Sequence, residues 1–123
     1  MSTNILADFV IFGEPASKAN SRRLVTIRGR PASIKSQKAL NYVAAFALQV
    51  KNLAEQITED VEVEIKIYYA SRRPDLDESV ILDCMQGPIY ANDRQVKRKV
   101  ISWGLDKTNP RAEIKVRLLQ QDS

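Results

Sequence analysis

Residues 61–69 read Val-Glu-Val-Glu-Ile-Lys-Ile-Tyr-Tyr. Val61, Val63, Ile65, Ile67 and Tyr69 alternate strictly with Glu62, Glu64, Lys66 and Tyr68. Only a β-strand, whose side chains point to opposite faces in turn, gathers all five of the first set on one side. On a helix the same residues scatter around the cylinder. The segment therefore demands a sheet with one dry face and one wet face. The dry face needs a covering layer.

The rest of the chain supplies that layer and the neighbouring strands. Residues 5–14 are apolar on both alternations: Ile5, Ala7, Phe9 and Ile11 on one, Leu6, Val10 and Phe12 on the other. That pattern suits a strand covered on both faces, or on one face plus a partner subunit. A turn-rich loop follows at 13–21. A short strand is expected at 24–28, ending at Gly29-Arg30-Pro31. A long helix is expected from Ser33 or Ser36, either of which can cap it. Val43, Phe46, Val50, Leu53 and Ile57 recur at spacings of three and four, marking its buried face. A short helix is expected at 78–86, terminated by Gly87-Pro88. Further strands are expected at 95–103 and 112–119, the latter with Ile114, Val116 and Leu118 on one face. The order β-β-α-β-α-β-β predicts an α+β fold. One domain over residues 1–123 would hold a mixed sheet with two helices packed on one side.

Composition narrows the chemistry. The chain has no histidine and one cysteine, Cys84. That excludes a Ser-His-Asp triad, a Cys-His pair, imidazole-ligated zinc and an internal disulfide. A metal site would be built from carboxylates, carbonyls and water, which suit hard ions. No apolar run is long enough to span a membrane. The first residues, Met1-Ser2-Thr3-Asn4, lack the basic and apolar regions of a signal peptide. With one unpaired Cys, a reducing cytoplasm is the expected location.

Nineteen Lys and Arg stand against fifteen Asp and Glu, a net charge of +4. This average conceals an uneven distribution. Residues 15–54 carry Lys18, Arg22, Arg23, Arg28, Arg30, Lys35, Lys38 and Lys51 and no acid. Further basic runs are Arg94, Lys97, Arg98 and Lys99, and then Lys107, Arg111, Lys115 and Arg117. Charge runs are usually solvated surface. A stretch this long without an acid also reads as a footprint for a polyanion, nucleic acid first.

The acids that stand out are in Arg72-Arg73-Pro74-Asp75-Leu76-Asp77-Glu78 and Asn92-Asp93-Arg94. Residues i and i+2 of an extended chain point the same way, so Asp75 and Asp77 can converge. A return of the chain through Gly87-Pro88 can bring Asp93 beside them. Three ionised carboxylates together need a cation, and Mg²⁺ or Mn²⁺ is the natural one without His or Cys. Basic surface beside such a site gives a nuclease: Lys and Arg hold the phosphates and the aspartates hold the metal. Taken singly, Asp75 or Asp77 also suits a helix cap and Asp93 a turn. Trp103, Tyr68 and Tyr69 can stack on bases, although strand aromatics are more often core.

These segments, with Asp83-Cys84-Met85 and Asn92-Asp93-Arg94-Gln95-Val96, resemble the signature of the RusA family of Holliday-junction resolvases. That family reads as a basic residue, Asp-x-Asp-Asn, a helix with Asp-Ala-Leu, then an acidic pair, a small or polar residue, Gln, and Val or Ile. Phe12-Gly13-Glu14-Pro15-Ala16-Ser17-Lys18 resembles its opening strand and basic loop. The resemblance implies a homodimeric, Mg²⁺-dependent endonuclease that nicks four-way DNA junctions in pairs, often phage-encoded. It places the metal-binding catalytic aspartates at Asp75, Asp77 and Asp93. The DNA-holding cations are then Lys18, Arg22, Arg23, Arg28, Arg30, Lys35, Arg72, Arg73, Arg94 and Lys97. Three positions depart from the pattern. Glu78 replaces the Asn, Asn92 stands where many members carry Asp, and Ile81 falls where members carry a Lys. Arg72, Arg73, Lys18 and Lys97 are the candidates to replace that Lys. The loss also admits a branched-DNA-binding module that does not cut.

Overall fold

The computed structural model describes residues 5–15, 22–72 and 78–119. In chain order it contains β1 (Ile5–Phe12), β2 (Arg22–Ile27), β3 (Arg30–Lys35), α1 (Gln37–Gln49), β4 (Val61–Tyr69), α2 (Ser79–Met85), β5 (Val96–Leu105) and β6 (Arg111–Leu118). A single 3-10 turn, Asp93–Gln95, leads into β5. Four strands form one mixed sheet in the order β1-β6-β4-β5, and β2 and β3 form a separate two-stranded sheet. The fold is α+β, as the residue pattern requires. No helix among the described residues is long and apolar enough to cross a membrane.

The alternating segment is β4, and it lies inside the sheet. It runs antiparallel to β6 and parallel to β5. Val61, Val63, Ile65, Ile67 and Tyr69 are wholly buried, and Ala112, Ile114 and Val116 of β6 continue the dry face. Tyr42 and Phe46 of α1 and Ile81 and Met85 of α2 complete the core. Burying each large apolar side chain contributes about 1.5–3 kcal/mol. Phe9 on β1 meets Phe46 edge to face at 6.2 Å, tying the outermost strand to α1.

The helix prediction was half right. Ser36, not Ser33, caps α1; its hydroxyl accepts from the Ala39 N–H at 3.2 Å. The helix stops at Gln49, well short of Ile57, although the apolar spacing continues. Tertiary hydrogen bonds explain the stop. The Leu53 N–H donates to the Pro88 carbonyl and the Ile57 N–H to the Ile89 carbonyl. Leu53 and Ile57 still join the core, but from extended chain.

A strand was missed. Residues 22–35 form a hairpin, with Arg22 opposite Lys35 and Ile27 opposite Arg30. Gly29 is the second residue of its turn rather than the end of a strand. Arg28 (φ 51°) and Gly29 (φ 76°) both take the left-handed conformation that a tight two-residue hairpin turn requires. Ser33 therefore lies in β3.

The free edge of β1 is partly closed by a side chain. Gln49 Oε1 accepts from the Phe12 N–H at 2.7 Å, and Gln49 Nε2 donates to the Phe12 carbonyl at 2.9 Å. That amide occupies the hydrogen-bonding position of a missing neighbour strand.

The core holds the Tyr42 hydroxyl away from water. The Tyr42 hydroxyl has no hydrogen-bond partner among the described residues. Burial, with Cys84 and Tyr69 nearby, pushes its pKa well above the usual phenol value. An unpaired buried hydroxyl costs about 1–3 kcal/mol. Tyr42→Phe removes it and keeps the ring, so the variant should gain roughly 1 kcal/mol in urea unfolding. A loss of stability would show that the hydroxyl is satisfied.

Candidate active site

Parallel pairing of β4 with β5 forces a crossover connection between them. Residues 70–95 make that crossover, and they contain every candidate catalytic acid. Asp75 and Asp77, together with Arg73, lie outside the described residues, as does Lys18. Asp93 and the flanking elements are described.

Asp93 is held by its backbone rather than by its carboxylate. The Asp93 N–H donates to Gln86 Oε1 at 3.1 Å. Asn92 Oδ1 accepts from the Arg94 N–H at 2.9 Å, and Gln95 Oε1 accepts from the Asn92 N–H at 2.8 Å. These reciprocal bonds are a capping box around a single 3-10 turn. Asp93 is exposed, and among the described residues its carboxylate forms no hydrogen bond or ion pair. A rigid backbone with an unengaged carboxylate is what a metal ligand needs.

Gln95 was quoted in the sequence motif but not nominated for a role. It is buried, and its amide also donates to the Ile57 carbonyl at 2.8 Å and the Glu59 carbonyl at 2.9 Å. One side chain therefore fixes the Asp93 turn to the chain entering β4. The spacing Asn92-x-x-Gln95 was the available signal, because it is the capping-box pattern.

Glu78 directly precedes α2, makes no capping hydrogen bond with its side chain, and pairs instead with Lys99 of β5 (Oε1 to Nζ 3.2 Å). Lys99 lies opposite Val63, near the β4 end that Asp93 adjoins. Residue 78, directly after the Asp75–Asp77 motif, is thus anchored to the strand that Asp93 leads into. Its carboxylate is engaged by Lys99 there rather than offered to a metal. Asp83 of α2 also belongs to this neighbourhood. Burial raises the Tyr90 hydroxyl pKa most, and the charges of Asp93 and then Asp83 raise it further. That hydroxyl donates to the Leu82 carbonyl at 2.6 Å. Among the described residues no group of three potential metal ligands assembles.

Ile81, which falls where the resemblance expects a Lys, is wholly buried in α2. Of the proposed replacements, Arg72 and Lys97 are described and exposed. The β4–β5 register slips by one residue between Val61 and Glu62, where Lys97 has no partner on β4. Such irregularities re-aim side chains beside functional sites. Lys97 is four residues after Asp93.

The three basic runs separate in space. On the wet face of the sheet Arg117 pairs with Glu64 at 2.9 Å and Glu62 at 3.6 Å, and Arg98 with Glu62 at 3.0 Å. Arg111 pairs with Asp106 at 2.6 Å and Glu113 at 3.1 Å, and its guanidinium lies 4.0 Å from the Tyr68 ring centre. The hydrogen bond from Arg111 holds the Asp106 carboxyl below its usual range. Arg98, Arg111 and Arg117 are therefore engaged by acids rather than free for phosphate. Arg22, Arg23, Arg28, Arg30 and Lys35 all lie on the β2–β3 hairpin. Among the described residues they have no acidic partner, and neither do Arg94 and Lys97.

A match to a known family bears on this arrangement. The family model described as Endodeoxyribonuclease RusA matches residues 13–117, most of the chain. The chain belongs to the RusA endodeoxyribonuclease family. No curated protein is similar enough in sequence to match it. The RusA match spans the Asp93 turn, the crossover and the hairpin alike, so these are parts of one family domain.

Gln95→Leu keeps the volume but strands the Asn92 N–H and two carbonyls. It should cost about 2–4 kcal/mol in urea unfolding; unchanged stability would show that Gln95 is not the clamp. Cys84 is on α2, partly buried, and burial and Asp83, opposed by Lys35, push its thiol up to about 11 from 9.0. At pH 8 the folded protein then holds on the order of 100-fold less thiolate than the unfolded chain. Iodoacetamide should modify Cys84 correspondingly slowly, the rate climbing with pH toward about 11. Equal rates for folded and urea-unfolded protein would contradict this.

Proposed function

We propose that the protein is a structure-selective endonuclease that resolves four-way DNA junctions by paired nicks during recombination and repair. The observation that carries this reading is the RusA family match across residues 13–117. The backbone-fixed, unengaged carboxylate of Asp93 supports it.

The donor chemistry fits a hard divalent ion: carboxylates are present, histidine is absent, and the one thiol is raised in pKa. Asp75, Asp77 and Asp93 would hold Mg²⁺, with Mn²⁺ as a substitute. The ion supplies Lewis-acid stabilisation of charge on the phosphodiester oxygens and lowers the pKa of water. The hairpin cations, with Lys18, Arg72, Arg73, Arg94 and Lys97, hold the phosphates and set the strand's position. A homodimer suits the two-fold symmetry of a junction, presenting one site to each of two opposed strands. Leu6, Val10 and Phe12, exposed on β1, are apolar surface available to a second copy.

One observation favours a second reading, a branched-DNA-binding module that does not cut. Ile81 is core, so no basic group acts from that position. A synthetic four-way junction with Mg²⁺ separates the two. Symmetric nicks are expected, reduced by at least about 100-fold in Asp75→Asn and in Asp93→Asn while junction binding persists. Tight, salt-sensitive binding without cleavage in any divalent metal would establish the non-cutting reading.

A further inference from the structure

The β2–β3 hairpin is built unlike the rest of the molecule. Among the described residues it makes only marginal contact with the other elements. Its base is seated: Ile34 and Lys35 are half-buried, and Lys35 acts electrostatically on Cys84 of α2. Its outer half is open to solvent. Leu24 is 80% exposed and Ile27 51% exposed, and Arg28, Arg30 and Pro31 are exposed with them.

The distribution of residue types at the tip is specific. Ile27 lies opposite Arg30, and Thr26 lies opposite Pro31. Cross-strand partners share a face, and the next pair takes the other face. Ile27 and Pro31 therefore present one apolar group on each face of the ribbon. Arg28 and Arg30 flank them. Pro31 has no N–H, and the alternation of pairs from the turn points that position outward, where no ladder bond is lost. None of these apolar groups contributes to the core.

An apolar tip exposed to water needs an occupant that covers it, and the charge says which. Residues 15–54 hold no acid, so the arm is attracted to a polyanion and repels a second copy of itself. A two-stranded ribbon is narrow enough to enter a DNA groove. Apolar side chains flanked by Arg insert between bases and unstack them. Unstacking costs least where bases already lack a full stack, which is the branch point of a junction.

We propose that the hairpin tip is a wedge. Ile27 and Pro31 enter the branch point while Arg28 and Arg30 hold the adjoining phosphates, and the tip thereby supplies part of the preference for branched over linear DNA. This rests on the junction-resolvase reading.

The test uses a four-way junction carrying the fluorescent base 2-aminopurine at its centre, with a linear duplex of the same sequence. Binding of the unaltered protein should raise the fluorescence as bases unstack. The double variant Ile27→Ala/Pro31→Ala should lose that rise and lower the junction-to-duplex affinity ratio by about 10-fold, leaving duplex affinity unchanged. Arg28→Ala/Arg30→Ala should weaken junction and duplex together and reduce the salt slope by about 2. A double variant that keeps both the fluorescence rise and the affinity ratio overturns the wedge alone. So does one whose only change is a smaller mass in solution, which would make the tip a contact between copies. If the unaltered protein shows no preference for junctions, the resolvase reading itself fails and the wedge with it.

Discussion

The parallel pairing of β4 with β5 is the constraint on which the functional layout depends. Antiparallel neighbours can be joined by a tight turn, but parallel neighbours cannot. The chain leaving Tyr69 must return to the level of Val61 before β5 begins. A nine-residue strand spans roughly 27–30 Å, and the seven residues of α2 recover only about 10 Å of it. The remaining distance falls to irregular chain, where backbone conformation is set by specific contacts rather than by a repeating ladder. Those contacts are present at both ends of α2. Glu78 is fixed through Lys99, and Asp93 through Gln86 and Gln95. In sequence, the candidate acids Asp75, Asp77 and Asp93 all fall within this crossover.

Charge is sorted by face. On the wet side of the sheet, acids and arginines are joined in ion pairs, across strands for Arg98 and Arg117 with Glu62 and Glu64, and within β6 and its preceding loop for Arg111. Exposed pairs of this kind add little stability individually, about 0–1 kcal/mol. Their larger consequence is to cancel the local field. The hairpin has no such cancellation, so much of the uncompensated positive potential of a +4 chain is concentrated on one projecting element. A polyanion approaching this molecule is steered to the hairpin and not to the sheet.

The legibility of the fold followed the range of the forces involved. β4 could be read because alternation is local and the strand is packed on one face along its whole length. The end of α1 could not be read. Its apolar spacing continued to Ile57, and the winning interactions were hydrogen bonds to Pro88, Ile89 and Ala91, distant in sequence. β3 was hidden because Gly29 and Pro31 both read as breakers. In the hairpin Gly29 completes the turn, and Pro31 sits where its missing N–H costs nothing. At the site, Asp93 was recognisable as an acid in a motif, whereas the role of Gln95 needed the positions of Ile57 and Glu59. Sequence distinguished the type of donor, and only the fold distinguished a free carboxylate from a neutralised one such as Glu78.

The departure at Ile81 is explained by packing. Its side chain fills the core between α2 and the sheet, so a cation there would lose its hydration within an apolar cluster. Burying a charge that way is far more costly than placing one at a strand irregularity on the surface. The slip in register at Lys97 provides such a surface position, four residues beyond Asp93 and unpaired among the described residues. A basic group is therefore available beside the acidic crossover without being taken from the core. The packing of α2 thus rests on Ile81, while the exposed positive charge next to the Asp93 turn rests on other residues, Arg94 and Lys97 among them.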